Sequence, residues 1–370
     1  MKHTEIILSV IKGVNKISKR RGANKYIKKY SLEKMFILLI YQQFSSIDNG
    51  RAFTLYLKNM IGDMTDTISQ SELSKKLSHK LDYQVFKEIY GLLLAQARGV
   101  KSKELKKIEE LIRIIDSTAL SATDTMTYAK HRKNKNGFKM HSVIDADYFL
   151  EDFRLKNGRS SDKKSLKWAI KEGYIHIFDR GYNDYSQFKW IEEKNAFFVT
   201  RALTNIKYEI IRNRKVGKTQ KDSGIESDKI IEVIINRKTS EVYRMRMVTF
   251  RFIDSKKKEQ HFSLLTNLML HRSDEIAQLY KERWNIELVF RWVKTFLNIN
   301  HWMSRSRNGV LIQIYAALCA YLIALIAKMK NNERYRIMKD CIYEYLYELK
   351  HILQLFECNS NIEELFLESS

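Results

Sequence analysis

The chain has no proline in 370 residues, where ordinary usage of about 5% would give on the order of 18. Its turns must form without that residue. An AT-rich coding bias lowers proline and enriches Lys, Ile, Asn and Tyr, all abundant here, but it rarely abolishes proline, and a deliberately altered sequence would look the same. Cysteine is also scarce. Cys319, Cys341 and Cys358 are odd in number and form no CxxC pair, which excludes a disulfide framework and a cysteine zinc site and points to a reducing compartment. No Walker A motif is present, so no nucleotide cofactor is expected. The first residues, "MKHTEIILSVIKGVNKISKRRG", hold only a short apolar run, so no signal peptide is expected. One long hydrophobic stretch occurs, Val310 to Ala327. Gln313 and two tyrosines interrupt it, so a buried core helix is expected rather than a membrane span.

Negative charge is in short supply. Sixty-six Lys and Arg face 43 Asp and Glu, for a net charge of +23 and a pI near 9.6. With 44% hydrophobic and 29% charged residues the balance is globular, and the excess of cations points to a polyanionic partner, nucleic acid first.

Residues 1–105 read as helices. "SLEKMFILLIYQQF" (31–44) has helical spacing, and Ser71 followed by Glu72, Leu73 and Leu77 resembles a short helix-turn-helix start. The basic arm 19–29 could touch phosphate. From about residue 111 strands take over. "LIRIID" ends in Asp116, "FKMHSVID" and "YFLEDFRL" form a hairpin around Ala146 and Asp147, and "SSDKKSLKWAIKEG" is expected to be a helix. "YIHIFDRGY" is a strand ending in Asp179, "DYSQFKWIEEKN" a helix and "AFFVTRAL" a strand. This order predicts an α/β, ribonuclease-H-like core over 106–204 and 267–330. Residues 205–266 alternate apolar and polar positions between lysine-rich loops and are expected to form a β-rich insertion. Helices resume at Ser273, and 331–370 reads as a C-terminal helical tail.

Asp116 and Asp179 are each expected to end an apolar strand at a turn. On neighbouring strands their carboxylates would converge, repel, and call for a hard divalent cation. "YKERWNIELVFRWVKTFLNIN" (280–300) reads as one amphipathic helix. At about 100° per residue, Tyr280, Arg283, Glu287 and Lys294 fall within about a 60° arc. Each feature has a plainer reading: a turn residue for each Asp, and an i,i+4 pair on a solvated face for Arg283 and Glu287. The apolar residues around the rest of that helix favour a cleft-facing stripe.

These residues resemble the bacterial insertion-sequence transposases of the DDE type that carry a Y-x2-R-x3-E-x6-K signature. "IIDSTAL", "FDRGYNDYSQF" and "FFVTRAL" are similar to the blocks around the family's two aspartates, and Gly137 to Asp145 is similar to a further block. One block departs: "KNGRSSDKK" keeps Gly158 and Asp162 but has Ser161 where the family has histidine. The resemblance implies a transposase that binds terminal inverted repeats, cleaves at them and joins 3′ ends to target DNA. It implies Asp116, Asp179 and Glu287 as catalytic ligands of two Mg²⁺ ions, with Mn²⁺ as substitute. Arg283, Lys294 and Tyr280 would contact DNA, with Arg180, Lys139 and His141 as further candidates. It also implies double-stranded DNA at element ends and target as partner, a homodimer in a synaptic complex, no membrane, and a cytoplasmic, nucleoid-associated location. Core packing is the alternative for Trp284 and Trp292, which otherwise could stack on a flipped base. A catalytically silent DNA-binding relative or regulator of transposition is the second reading. A tyrosine recombinase using Tyr280 would leave both strand-end aspartates unexplained.

Overall fold

A computed structural model describes residues 3–330 and 349, apart from 26, 28, 29, 46, 48, 62–67, 102–110, 130–135, 147, 148, 237, 254–258, 284, 285, 288 and 291–301. The chain forms two compact units. One comprises 1–105, 120–128 and 291–370, the other 106–119 and 129–290.

The first unit is helical. Its elements are α1 (His3–Arg21), α2 (Leu32–Phe44), α3 (Gly50–Ile61), α4 (Gln70–Lys75), a π-turn (Lys76–Lys80) and α5 (Tyr83–Lys101). The Ser31 side chain caps α2 by accepting from the Lys34 N–H. Ser69 caps α4 in the same way through Glu72, so the short helix begins earlier than Ser71 suggests: a serine in extended conformation just outside the helix can cap it, whereas Ser71 lies inside. The apolar stretch expected to be a core helix lies within a helix of residues 307–330. Of its most apolar window 89% is buried, and Gln313 turns inward to accept the Met303 N–H at 3.0 Å.

The second unit is built on strands β1 (Ile112–Ser121), β2 (Gly137–Asp145), β3 (Leu150–Asn157), β4 (Ile175–Phe178) and β5 (Phe197–Arg201), with α6 (Tyr185–Glu193) before β5. Then come β6 (Glu209–Asn213), α7 (Lys218–Asp222), β7 (Ile225–Asn236), β8 (Glu241–Ile253), β9 (Glu259–Thr266) and α8 (Ser273–Glu282); helix α9 (Arg307–Lys330) is the apolar one of the first unit. Nine strands share one mixed sheet in the order β3-β2-β1-β4-β5-β9-β8-β7-β6. The β1, β4 and β5 strands are parallel, and β9 closes on β5 antiparallel. Residues 209–266 therefore extend the same sheet. Phe188 of α6 stacks on Phe198 of β5 with ring centroids 4.4 Å apart, and both are fully buried beside Phe178 and Met245. Burial of such aromatic rings is worth on the order of 2–3 kcal/mol each.

Three expectations change. Residues 160–173 form no α-helix but two 3₁₀ turns, Lys163–Ser165 and Lys167–Ala169. The stretch opens with two serines and an aspartate that could cap a helix, but Asp162 makes no capping hydrogen bond; its carboxylate accepts from Lys139 and Ser117. Asp116 does not end its strand, since β1 runs on to Ser121; the residues after Asp116 alternate buried and exposed, as a strand with one covered face does. The helix expected over 280–300 is interrupted. Here α8 ends at Glu282, and the Arg283 N–H bonds the Tyr280 carbonyl at i−3. Residues 286, 287, 289 and 290 are helical.

Candidate active site

The sheet brings the two aspartates together. The parallel ladder of β1 and β4 pairs Ile115 with Phe178, so the next residues, Asp116 and Asp179, leave it side by side. Asp179 stands at the N-terminus of a 3₁₀ turn (Arg180–Tyr182) but makes no side-chain capping bond. A capping role therefore does not explain it.

Glu287 reaches the same place through Arg283. The Arg283 guanidinium donates from Nη1 to Asp116 Oδ2 at 3.2 Å and from Nη2 to Glu287 Oε1 at 3.0 Å. It also lies over the Tyr280 ring, 5.7 Å from its centroid. Asp116 Oδ1 accepts the Ser117 N–H at 2.7 Å, which leaves Oδ2 turned toward Arg283. The Asp116 carboxyl is pushed up to about 6, first by burial and then by the charges of Asp179 and Glu287, against the pull of the Ser117 N–H and Arg283. Burial likewise raises the Tyr280 phenol. Among the described residues no three His, Cys, Asp or Glu side chains are close enough as placed to hold a metal ion; the guanidinium stands between Asp116 and Glu287.

The other candidates divide. Arg180 is exposed beside Asp179. Lys139, on β2, is ion-paired with Asp162 at 2.8 Å. His141 is wholly buried, with Nδ1 3.2 Å from the Tyr182 hydroxyl, and burial lowers its imidazole to about 4. It is a neutral interior group as placed. Lys294, Trp284, Trp292, Asp147 and the tail 331–370 apart from Leu349 lie outside the described residues, as do several residues of the arm 19–29.

Sequence reasoning passes over Ser117, Tyr182 and Arg201, and keeps Asp162 only as a matching position of one block. Each lies within a stretch already singled out, but nothing in the spacing shows which side chain turns inward. Arg201, at the end of β5, stacks over Phe262 at 3.7 Å. Burial lowers its guanidinium, and Tyr280, Arg180, Asp179 and Arg283 all act on it electrostatically. Arg246 of β8 is buried with Asp228 of β7 in a two-point pair at 2.9 and 2.6 Å, and it also donates to the carbonyls of Leu268 and His271. This fastens the joint that leads into α8.

A profile of the transposase DDE domain matches residues 107–323. A Sinorhizobium fredii protein named as a transposase is 31% identical over 273 residues, covering 72% of this chain and 75% of that protein. A Synechocystis sp. protein named as transposase for insertion sequence element IS4SA is 31% identical over 277 residues, 72% of each chain. The transposase for insertion sequence element IS231B of Bacillus thuringiensis subsp. berliner is 19% identical over 376 residues, 86% of this chain and 78% of that one.

Proposed function

The chain belongs to the DDE-domain transposases of bacterial insertion sequences, and we propose that it binds the terminal inverted repeats of its element, cleaves there and joins the 3′ ends to target DNA. The observation that carries this reading is the side-by-side exit of Asp116 and Asp179 from a parallel ladder, with Glu287 linked to Asp116 through Arg283.

The donor set fits a divalent cation. Asp116 and Asp179 leave the ladder side by side, Glu287 is tied to Asp116 through Arg283, and burial raises Asp116; a hard divalent cation would take over from the guanidinium in holding these carboxylates ionised. Asp116, Asp179 and Glu287 would hold two Mg²⁺ ions, or Mn²⁺ in their place. When bound, such ions activate the attacking oxygen and neutralise charge on the leaving one.

The protein's part is binding and orientation. Water first attacks the phosphorus at the element end, and the departing oxygen becomes a free 3′-OH. That hydroxyl then attacks a phosphodiester of the target, forming one ester bond as another breaks, so no external energy source enters. Arg283, Arg180 and Lys294 would grip phosphate oxygens beside the reacting bond, and Arg283 would exchange its carboxylate partners for phosphate as cations arrive. Tyr280 would hydrogen-bond a neighbouring phosphate. Lys139 and His141, given their present partners, serve the site from behind it.

In this reading residues 1–105 form a DNA-binding region. Residues 106–204 and 267–330 make a ribonuclease-H-like catalytic core, 205–266 is an insertion that holds the element end, and 331–370 is a helical tail. Two copies would pair two ends in a synaptic complex, acting on DNA in the bacterial cytoplasm.

The test is cleavage of labelled DNA carrying the element's own terminal repeats, with Mg²⁺ and with EDTA. Cuts at the repeat ends that need Mg²⁺ and vanish in Glu287→Ala, with DNA binding retained, are expected. Tight binding without cleavage in Mg²⁺ or Mn²⁺ would replace this reading with a silent DNA-binding relative, and cleavage in EDTA would point to the tyrosine route.

A further inference from the structure

Asp162 has no local task. It precedes a 3₁₀ turn but does not cap it. Its carboxylate instead joins three separate parts of the second unit. Oδ1 accepts from the Ser117 hydroxyl at 3.1 Å, on β1. Oδ2 accepts from Lys139 Nζ at 2.8 Å, on β2. The third part is the turn that carries Asp162 itself, after β3.

The position of this link matters. The hydrogen-bonded register of β1 with β4 runs as far as Ile115 and Phe178. Asp116 and Ser117 lie beyond it, where β4 no longer fixes the chain and β2 remains the neighbouring strand. There the Ser117 hydroxyl donates to the Asp162 carboxylate at 3.1 Å. Ser117 in turn holds Asp116, because its N–H fills Oδ1 and leaves Oδ2 for the cleft. A carboxylate ligand binds a cation well only when its free oxygen is aimed, and partners that aim it are worth about 10- to 100-fold in metal affinity.

We infer that Asp162 is a positioning residue: with Lys139 as its counter-ion it anchors Ser117, and through Ser117 it aims the Asp116 carboxylate at the cation. The inference rests on the reading of Asp116 as a metal ligand.

Mn²⁺ binding to the full chain without DNA, followed by electron paramagnetic resonance and by the Mn²⁺-induced rise in Tm, separates the two. Asp162→Ala is expected to weaken Mn²⁺ binding about 10- to 100-fold. Asp162→Asn keeps an acceptor for the Ser117 hydroxyl and should restore most of the affinity, which a role in overall folding alone would not predict. If Asp162→Ala fails to fold, Ser117→Ala removes only the hydroxyl link, and a loss of about tenfold is expected. Wild-type Mn²⁺ affinity in Asp162→Ala, or in Ser117→Ala where only that variant folds, overturns the inference, as does failure of Asp162→Asn to improve on a folded Asp162→Ala. Asp116→Asn is the control: if it binds Mn²⁺ as wild type does, the reading of Asp116 as a ligand fails, and this inference with it.

Discussion

The guanidinium of Arg283 donates to the Asp116 carboxylate across 3.2 Å, although the two residues are 167 positions apart in the chain. Arg283 also binds Glu287, so it acts as an internal counter-ion for two carboxylates of the proposed site. Removing it leaves both without that partner. In EDTA, Arg283→Ala should lose about 2 kcal/mol of unfolding free energy, the range of a hydrogen bond between charged groups. Adding Mg²⁺ should raise the Tm of the variant more than that of the wild type, since the ion no longer competes with a resident cation. Equal Mg²⁺ shifts in thermal melts would count against the counter-ion role.

Arg201 is held flat against Phe262 with its charge near Asp179 and Tyr280. A stacked, pre-oriented guanidinium suits a phosphate oxygen. Arg201→Ala should weaken binding to element ends at every sequence tested and reduce the salt slope of log K by about one. Filter binding across a series of salt concentrations measures it; a parallel line displaced without change of slope would rule out the phosphate contact.

Arg246 and Asp228 are buried together, 1% and 4% exposed. Breaking such a pair from one side leaves Asp228 with the partly exposed Arg214, whose Nε lies 3.5 Å from Oδ2, and costs about 3 kcal/mol, the low end of the range for a broken buried pair. Arg246→Ala also frees the Leu268 and His271 carbonyls that lead into α8. Urea unfolding should show a loss of that size. A loss under about 1 kcal/mol would mean that water or a neighbour replaces the arginine.

His176 lies on β4, three residues before Asp179. Its Nε2 accepts the Lys171 N–H and its Nδ1 faces the Phe197 carbonyl, each at 3.0 Å. Burial lowers the imidazole from 6.5 to about 4. Below pH 6.5 the unfolded chain takes up a proton that the folded one refuses, so stability is lost as pH falls from 6.5 toward 4. The slope approaches about 1.4 kcal/mol per pH unit. His141 shifts in the same direction and Asp116 in the other, so the share of His176 is isolated by comparison with His176→Gln, which should remove up to about 1.4 kcal/mol per pH unit of the loss over that window. Identical pH profiles for the two proteins would refute the assignment.

Several features are legible in the amino-acid sequence alone. The hairpin of β2 and β3, strands β4 and β5, and the cover of α6 follow from periodicity and turn residues. Strand β6 is not legible, because "EIIRN" is exposed throughout and so shows no alternation. The 3₁₀ turns after β3 read as a helix because Asp162 looks like a cap in sequence, while its carboxylate is used elsewhere. The end of α8 before Arg283 has no signal either, since the stretch has neither glycine nor proline.

By itself the sequence determined the charge and chemistry of this protein: a cationic chain with aspartates on apolar strands and an Arg–Glu pair at helical spacing. These are local properties, carried by residue types and short intervals. Only the tertiary structure decided that β1 lies beside β4, that their register brings Asp116 level with Asp179, and that Asp162 answers Ser117 and Lys139 instead of its own turn. Those relationships join residues tens to hundreds of positions apart, and they are set by which strands bury their faces together, which no local pattern encodes.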